Sequence, residues 1–309
     1  MITDNKHKAL CAVFCGSMLW GHAAFANEAL ELLGRMQTAV AGLEYSGELV
    51  YSRGGEMSTY SISHQLGQAQ ESIIRLDGAA SEQAESFSLA NFGNLHTSGM
   101  EAYAFDLGGD ANVANQPCKV VVVRPKDKMR YLHRYCIAPS NGMLLKYSLM
   151  DREQKVLEQL IFTKLSISPP LAPAEAAQPV ALARLAAPSV ASQAIAAAPL
   201  AETGIEDEGK KILESWEFQN LPPGFKVVKV VPERESDDAH QIVLSDGMTS
   251  VSVFIAPAAS AKDINDVSYS SGATHILGLE LAGHVITFVG EVPSATLQSI
   301  QKGLRYVAR

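Results

Sequence analysis

The chain has 309 residues, 25 Lys and Arg against 33 Asp and Glu, and a net charge of −8; 47% of it is hydrophobic. With that acidic balance and no long run of basic residues, nothing suggests a nucleic-acid partner held through phosphate contacts. The apolar content is that of globular material, raised by an alanine-rich stretch, and no segment beyond the N-terminus has the length needed to cross a bilayer.

The chain opens with Lys6, His7 and Lys8, continues through an apolar stretch from Ala9 to Trp20, and reaches Ala24-Phe25-Ala26. A short basic region, an apolar core and a small-x-small site predict a signal peptide over 1–26, cleaved after Ala26. Val13 and Phe14 stand where lipidation at Cys15 would need small residues, so a lipoprotein is not expected. The exported chain would lie in an oxidising compartment, with Cys118 and Cys136 as its remaining cysteines.

Residues 27–167 predict a first domain. Ala29, Leu33, Met36, Val40 and Leu43 recur at helical spacing and predict a helix over Glu28–Ala41. The period then changes to two at Tyr45–Tyr51, and a Gly54-Gly55 turn leads to Thr59–His64. Further strands are expected at Ser72–Leu76, Cys118–Arg124, Arg130–Ile137, Met143–Leu149 and Val156–Leu165. Strands joined by short polar turns favour an antiparallel meander. If the hairpin around Asp127 is symmetric, Cys118 and Cys136 face each other directly, within reach of a disulfide. Two separate buried thiols are the competing reading. Tyr45, Leu49, Tyr51, Tyr60 and Ile62 either line a concave apolar groove for an acyl chain or peptide, or form an ordinary core; both use the same residue types.

From 168 to 205 Ala and Pro dominate, and the prolines keep any helical run short, so this reads as a linker. Residues 206–309 predict a second domain. Lys210–Phe218 leads into Leu221-Pro222-Pro223-Gly224-Phe225, and strands follow at Val227–Val231, Gln241–Leu244, Val251–Ile255, His275–Leu279 and Val285–Val289. Asp246-Gly247 sits between two alternating apolar runs, a strong hairpin signal. Ser294–Val307 predicts a closing helix with Ser294 as its N-cap and Leu297, Ile300, Leu304 and Val307 on its apolar face. The whole is an α+β protein.

No catalytic constellation emerges. The eight histidines are dispersed without metal-ligand spacing, and there is no nucleophile elbow or phosphate loop. Asp237-Asp238-Ala239-His240 reads as a solvated loop. No enzyme activity, metal or cofactor is expected.

Several ordered segments carry a family resemblance: Tyr45-Ser46-Gly47-Glu48-Leu49-Val50-Tyr51, Arg75-Leu76-Asp77-Gly78, Arg124-Pro125-Lys126-Asp127, Arg130-Tyr131, Glu158-Gln159, Ser245-Asp246-Gly247-Met248 and Gly290-Glu291-Val292-Pro293. In order and spacing the chain resembles the RseB/MucB family. The resemblance implies an N-terminal LolA/LolB-like barrel, incompletely closed and plugged by a helix, followed by a small sheet-and-helix domain. It further implies binding to the periplasmic region of a membrane-spanning RseA/MucA-like anti-sigma factor, shielding of that region from proteolysis, and relief by lipopolysaccharide or other lipid. Ser245, Asp246, Gly247, Gly290, Glu291 and Pro293 are the partner-contact candidates; for the Gly290–Pro293 segment, a plain strand end is the alternative. Ala79–Asp110 departs from the family pattern, which bears on lipid sensing. A lipid or lipoprotein carrier is the alternative function, and the second domain argues against it.

Overall fold

The computed structural model describes residues 20–68, 71–77, 88–89, 92, 100–168, 207–232, 239–258 and 268–307. Most of the predicted signal peptide, nearly all of the predicted linker and much of Ala79–Asp110 lie outside these residues, as does Asp237-Asp238.

The first body begins with α1 (Trp20–Gly42), which runs through the predicted cleavage position. Eight strands follow: β1 (Tyr45–Arg53), β2 (Glu56–His64), β3 (Ser72–Arg75), β4 (Tyr103–Val113), β5 (Gln116–Pro125), β6 (Leu132–Ile137), β7 (Leu144–Met150) and β8 (Val156–Ile167). They form one antiparallel sheet in the order β3-β2-β1-β8-β7-β6-β5-β4. The meander from β4 to β8 is thus joined to the opening hairpin by pairing of the first strand with the last. Strands β3 and β4 are the two edges, so the sheet curls without closing. Helix α1 packs on β4 to β7, and Ala29, Leu32, Leu33, Met36 and Val40 are buried in the sheet's core. Lys119 on β5 reaches Glu28 of the helix at 2.7 Å and ties the helix to the sheet. Strand β4 escapes sequence reading because Gly108-Gly109 and two aspartates interrupt its alternation; the ladder with β5 bulges there, between Leu107 and Asp110.

Cys118 and Cys136 form a disulfide with their Cα atoms 5.4 Å apart. The expected register is corrected: Cys136 faces Val120, so the two cysteines are diagonal neighbours and not directly opposed. The twist of the paired strands brings this diagonal within bridging distance.

The second body starts with α2 (Asp207–Ser215) and β9 (Trp216–Phe218), then β10 (Lys226–Val231), β11 (His240–Ser245), β12 (Ser250–Pro257), β13 (Ser268–Ser271), β14 (Thr274–Leu281) and β15 (His284–Gly290). It closes with α3 (Ser294–Gly303) and β16 (Leu304–Tyr306). Six of these strands form an antiparallel sheet in the order β10-β11-β12-β15-β14-β13. Trp216, Phe225, Ile242, Leu244, Val251, Val253, Phe288, Leu297 and Ile300 are among its core residues. The closing helix is shorter than expected. It ends at Gly303, where a Cβ would stand 1.9 Å from the Gln219 carbonyl, and Leu304–Tyr306 instead pairs with Trp216–Phe218. Pro293, not Ser294, occupies the cap position, and no side chain caps the helix.

Candidate functional site

The Asp246-Gly247 hairpin forms as predicted, with Ser245 facing Ser250 and Gly247 at φ 94°. Its loop is held by Asp246, whose Oδ1 accepts from the Met248 and Thr249 amides at 2.9 Å each. The Ser245 hydroxyl donates to the Thr249 carbonyl and accepts from the Gly247 amide. A turn aspartate normally completes such a loop in water. Here Asp246 is 1% exposed, because the loop is pressed against the first body.

Its other oxygen explains the burial. Asp246 Oδ2 accepts from the Tyr103 hydroxyl at 2.8 Å and from Arg130 Nε. Arg130 is itself enclosed: it also donates to Asp127 and to the Pro223 carbonyl, and its guanidinium lies 5.1 Å from the Phe225 ring and 5.5 Å from that of Tyr103. Burial opposes the charge on Arg130, but the hydrogen bond and charge of Asp246 outweigh it and hold the pKa above its ordinary value. Nearby, Thr296 of α3 donates to the Met129 carbonyl at 2.7 Å. The first body therefore offers one arginine as a socket for the hairpin and the Pro-Pro loop.

A second arginine cluster lies on the same interface. Glu158, on the inward register of β8 with Leu160 and Phe162, is 2% exposed. It meets Arg53 Nε at 3.2 Å, the Tyr51 hydroxyl at 3.1 Å and the Ala273 amide at 3.4 Å. Ala273, in the β13–β14 turn, is fully buried and belongs to the first body's core cluster. The Gly54 and Gly272 turns meet there with both φ positive, and a Cβ on Gly272 would come 2.8 Å from the Arg53 side chain. Arg53 also donates to Thr274 and faces Glu291 at 3.6 Å. Desolvation first, and the Glu158 carboxylate second, push the Glu291 pKa up to about 7, although 51% of the side chain remains accessible.

All five groove candidates point into the first body. Tyr45, Leu49, Tyr51, Tyr60 and Ile62 are buried in its core cluster. Tyr45 also donates to Glu71 at 3.2 Å and stacks on His64. Deeper in, His133 shares a hydrogen bond with Tyr147 at 2.9 Å beside Tyr135 and Tyr103. Burial, only partly opposed by Asp246, lowers the His133 pKa to about 4. Of the partner-contact candidates, Ser245, Asp246 and Gly247 form the enclosed loop; Gly290, Glu291 and Pro293 end β15 at the second cluster. Arg53, Tyr103, Arg130, His133, Glu158 and Ala273 were not singled out as site residues from sequence. For Glu158 and His133 a signal existed: each is a charged or titratable residue on the inward register of an alternating strand. Among the described residues no group of His, Cys, Asp and Glu could hold a metal ion.

The MucB/RseB C-terminal domain model matches residues 210–305, and the MucB/RseB N-terminal domain model matches 28–86 and 82–180. The chain belongs to the MucB/RseB family. It is 27% identical to the sigma factor AlgU regulatory protein MucB of Pseudomonas aeruginosa, covering 94% of this chain and 95% of that protein. It is 24% identical to the sigma-E factor regulatory protein RseB of Haemophilus influenzae, covering 94% and 96% respectively. The fold is similar to the solved Pseudomonas aeruginosa MucA/MucB complex, with a TM-score of 0.65 at 23% identity over 91% of this chain and 100% of that one. Similarity thus extends across both sheets.

Proposed function

We propose that the chain is a periplasmic regulator that binds the periplasmic region of a membrane-spanning, MucA-like anti-sigma factor. The observation that carries this reading is the match of both family domains to nearly the whole chain, alongside relatives named as sigma-factor regulators and a solved MucA/MucB complex. Binding would shield the anti-sigma factor from regulated proteolysis. Lipid or lipopolysaccharide entering the barrel beside Tyr45, Leu49, Tyr51, Tyr60 and Ile62 would release it. A simple lipid or lipoprotein carrier would have no need of a second domain docked through two arginine clusters.

Among the partner-contact candidates, Glu291 has half of its side chain accessible, whereas Asp246 is enclosed against Arg130. Glu291 is thus the residue proposed to touch the partner directly. Ser245, Asp246, Gly247, Gly290 and Pro293 are its framework. The test is to mix purified protein with the periplasmic fragment of the cognate anti-sigma factor. A stable complex is expected; its absence at about 50 μM of each component overturns the reading.

A further inference from the structure

Charge counting singles out the second cluster. Arg53 is one cation facing two carboxylates, Glu158 from the first domain and Glu291 from the second. The Arg130 cluster has the same count, with Asp127 and Asp246, but its carboxylates are surrounded by donors. Asp246 takes two backbone amides, a phenol and the guanidinium, and Asp127 takes the Met129 amide as well as Arg130. Glu158 has a phenol and one long amide contact beyond Arg53, and Glu291 is reached by Arg53 only at 3.6 Å. Among the described residues, the remaining titratable groups around the cluster do not supply a second cation by contact. Tyr51 of β1 donates to Glu158, Tyr147 of β7 is held by His133, and His275 of β14 turns its Nδ1 to the Ala273 carbonyl and the Tyr131 hydroxyl.

We propose that Arg53, Glu158 and Glu291 form a proton-operated clasp between the two domains. With Glu291 protonated, Arg53 balances the Glu158 charge and the Ser271–Thr274 turn stays seated in the barrel end. When that proton leaves, one uncompensated negative charge remains beside a carboxylate that is 2% exposed. Like charges that meet the same guanidinium in a partly desolvated site repel. The cheapest relief is to withdraw Glu291 into water, together with the Ser271–Thr274 turn whose following strand pairs with β15 beside it. The proton goes to solvent, which Glu291 reaches directly.

The sign follows from linkage. A free glutamate titrates at 4.5, whereas docking raises Glu291 to about 7, so the docked form holds the extra proton between those values. The clasp is therefore tightest at the acid end of that window and loosens as pH rises through neutrality. Because one proton is involved, the docking equilibrium changes by at most about tenfold per pH unit. A periplasmic protein would experience the external pH, so the clasp would make barrel opening responsive to it.

Hydrogen exchange at the Ala273 amide, corrected for the intrinsic rate, reads the clasp without any partner or lipid, so its outcome is independent of the proposed binding function. Between pH 5 and 8, protection in the wild-type protein should fall by about tenfold or more. Glu291→Gln should keep Ala273 protected and nearly flat across that range. Glu158→Gln should reduce the slope without abolishing it, since desolvation is the larger cause of the Glu291 shift. Circular dichroism of both variants at pH 7 guards against reading misfolding as opening. A flat wild-type profile overturns the proposal, as does an unchanged slope in Glu291→Gln. Uniformly low protection in a folded Glu291→Gln overturns it too, since a neutral side chain should leave the clasp shut.

Discussion

The two arginine clusters that join the domains have the same charge count and opposite characters. At Arg130 the second domain brings a carboxylate whose loop amides already neutralise half of its demand, and the whole assembly is sealed between Tyr103 and Phe225. At Arg53 the second domain brings Glu291 with little donor support and leaves it half in water. The difference teaches that an ion pair's role is set less by its charges than by the dipoles around them. A buried pair rich in hydrogen bonds fixes one geometry, while a donor-poor pair at the rim can exchange protons and partners.

Removing Arg130 should produce the largest effect. Arg130→Met leaves Asp246 enclosed beside an apolar side chain, and breaking one half of a buried pair costs about 3–5 kcal/mol. Adding Asp246→Asn retains an acceptor for the Met248 and Thr249 amides and removes the orphan charge, so the double variant should recover more than half of the loss. Arg53→Met should cost less than Arg130→Met, because Arg53 is 37% exposed, its Glu291 contact is solvated, and the Glu158 carboxylate left behind keeps the Tyr51 hydroxyl and the Ala273 amide as donors. Urea denaturation of the four proteins checks the ranking. Equal losses at the two arginines would erase the contrast.

Acid should attack the Arg130 side by a separate route. His133 lies behind Tyr103, and its unfolded value of 6.5 drops to about 4 in the folded protein. A depressed folded pKa means that the unfolded chain binds more protons within that window. Stability is therefore lost as pH falls from about 6.5 towards 4, by an amount on the order of 3 kcal/mol. The Glu291 clasp has the opposite slope, tightening as pH falls over an overlapping range. His133→Gln should remove the acid loss and expose the clasp's slope alone. The measurement is the difference in unfolding free energy between wild type and His133→Gln at pH 4.5, 5.5 and 7.

Much of this architecture was legible in the chain. The period-two runs at Tyr45–Tyr51 and Val251–Ile255, the helical stripe through Leu33 and Met36, and the Asp246-Gly247 turn all declare themselves locally. What was hidden depends on distant partners. Strand β4 is stabilised by pairing with β5 in spite of Gly108-Gly109, so propensity alone passes over it. The closing helix stops at Gly303 because Leu304–Tyr306 finds Trp216–Phe218, a pairing some ninety residues away in sequence. The two-residue register error at the disulfide arose from centring the hairpin on Asp127, whereas the ladder is centred on Lys128. At the interface, Arg130 appears in the sequence as an ordinary charge beside a strand, and Glu158 shows only its inward register on β8. Nothing local says that one faces Asp246 and the other the Ala273 turn, since each meets its partner only after both sheets have formed.

Thr296 offers the smallest and most selective test of the Arg130 side. It is fully buried in the first turn of α3, yet it does not cap that helix; its hydroxyl donates across the interface to the Met129 carbonyl, one residue before Arg130. Thr296→Val keeps the shape and removes the donor, leaving that carbonyl short of a partner, which should cost about 1 kcal/mol. Thr296→Ser keeps the donor and loses a methyl group, so its loss should come from packing and leave the Met129 contact intact. Hydrogen exchange around Arg130 and Tyr131 should rise in Thr296→Val and stay near wild type in Thr296→Ser, while the Ala273 amide keeps its pH profile in both. Coupled changes at Ala273 would mean that the two clusters open together and that the domains part as one rigid face, not hinge by hinge.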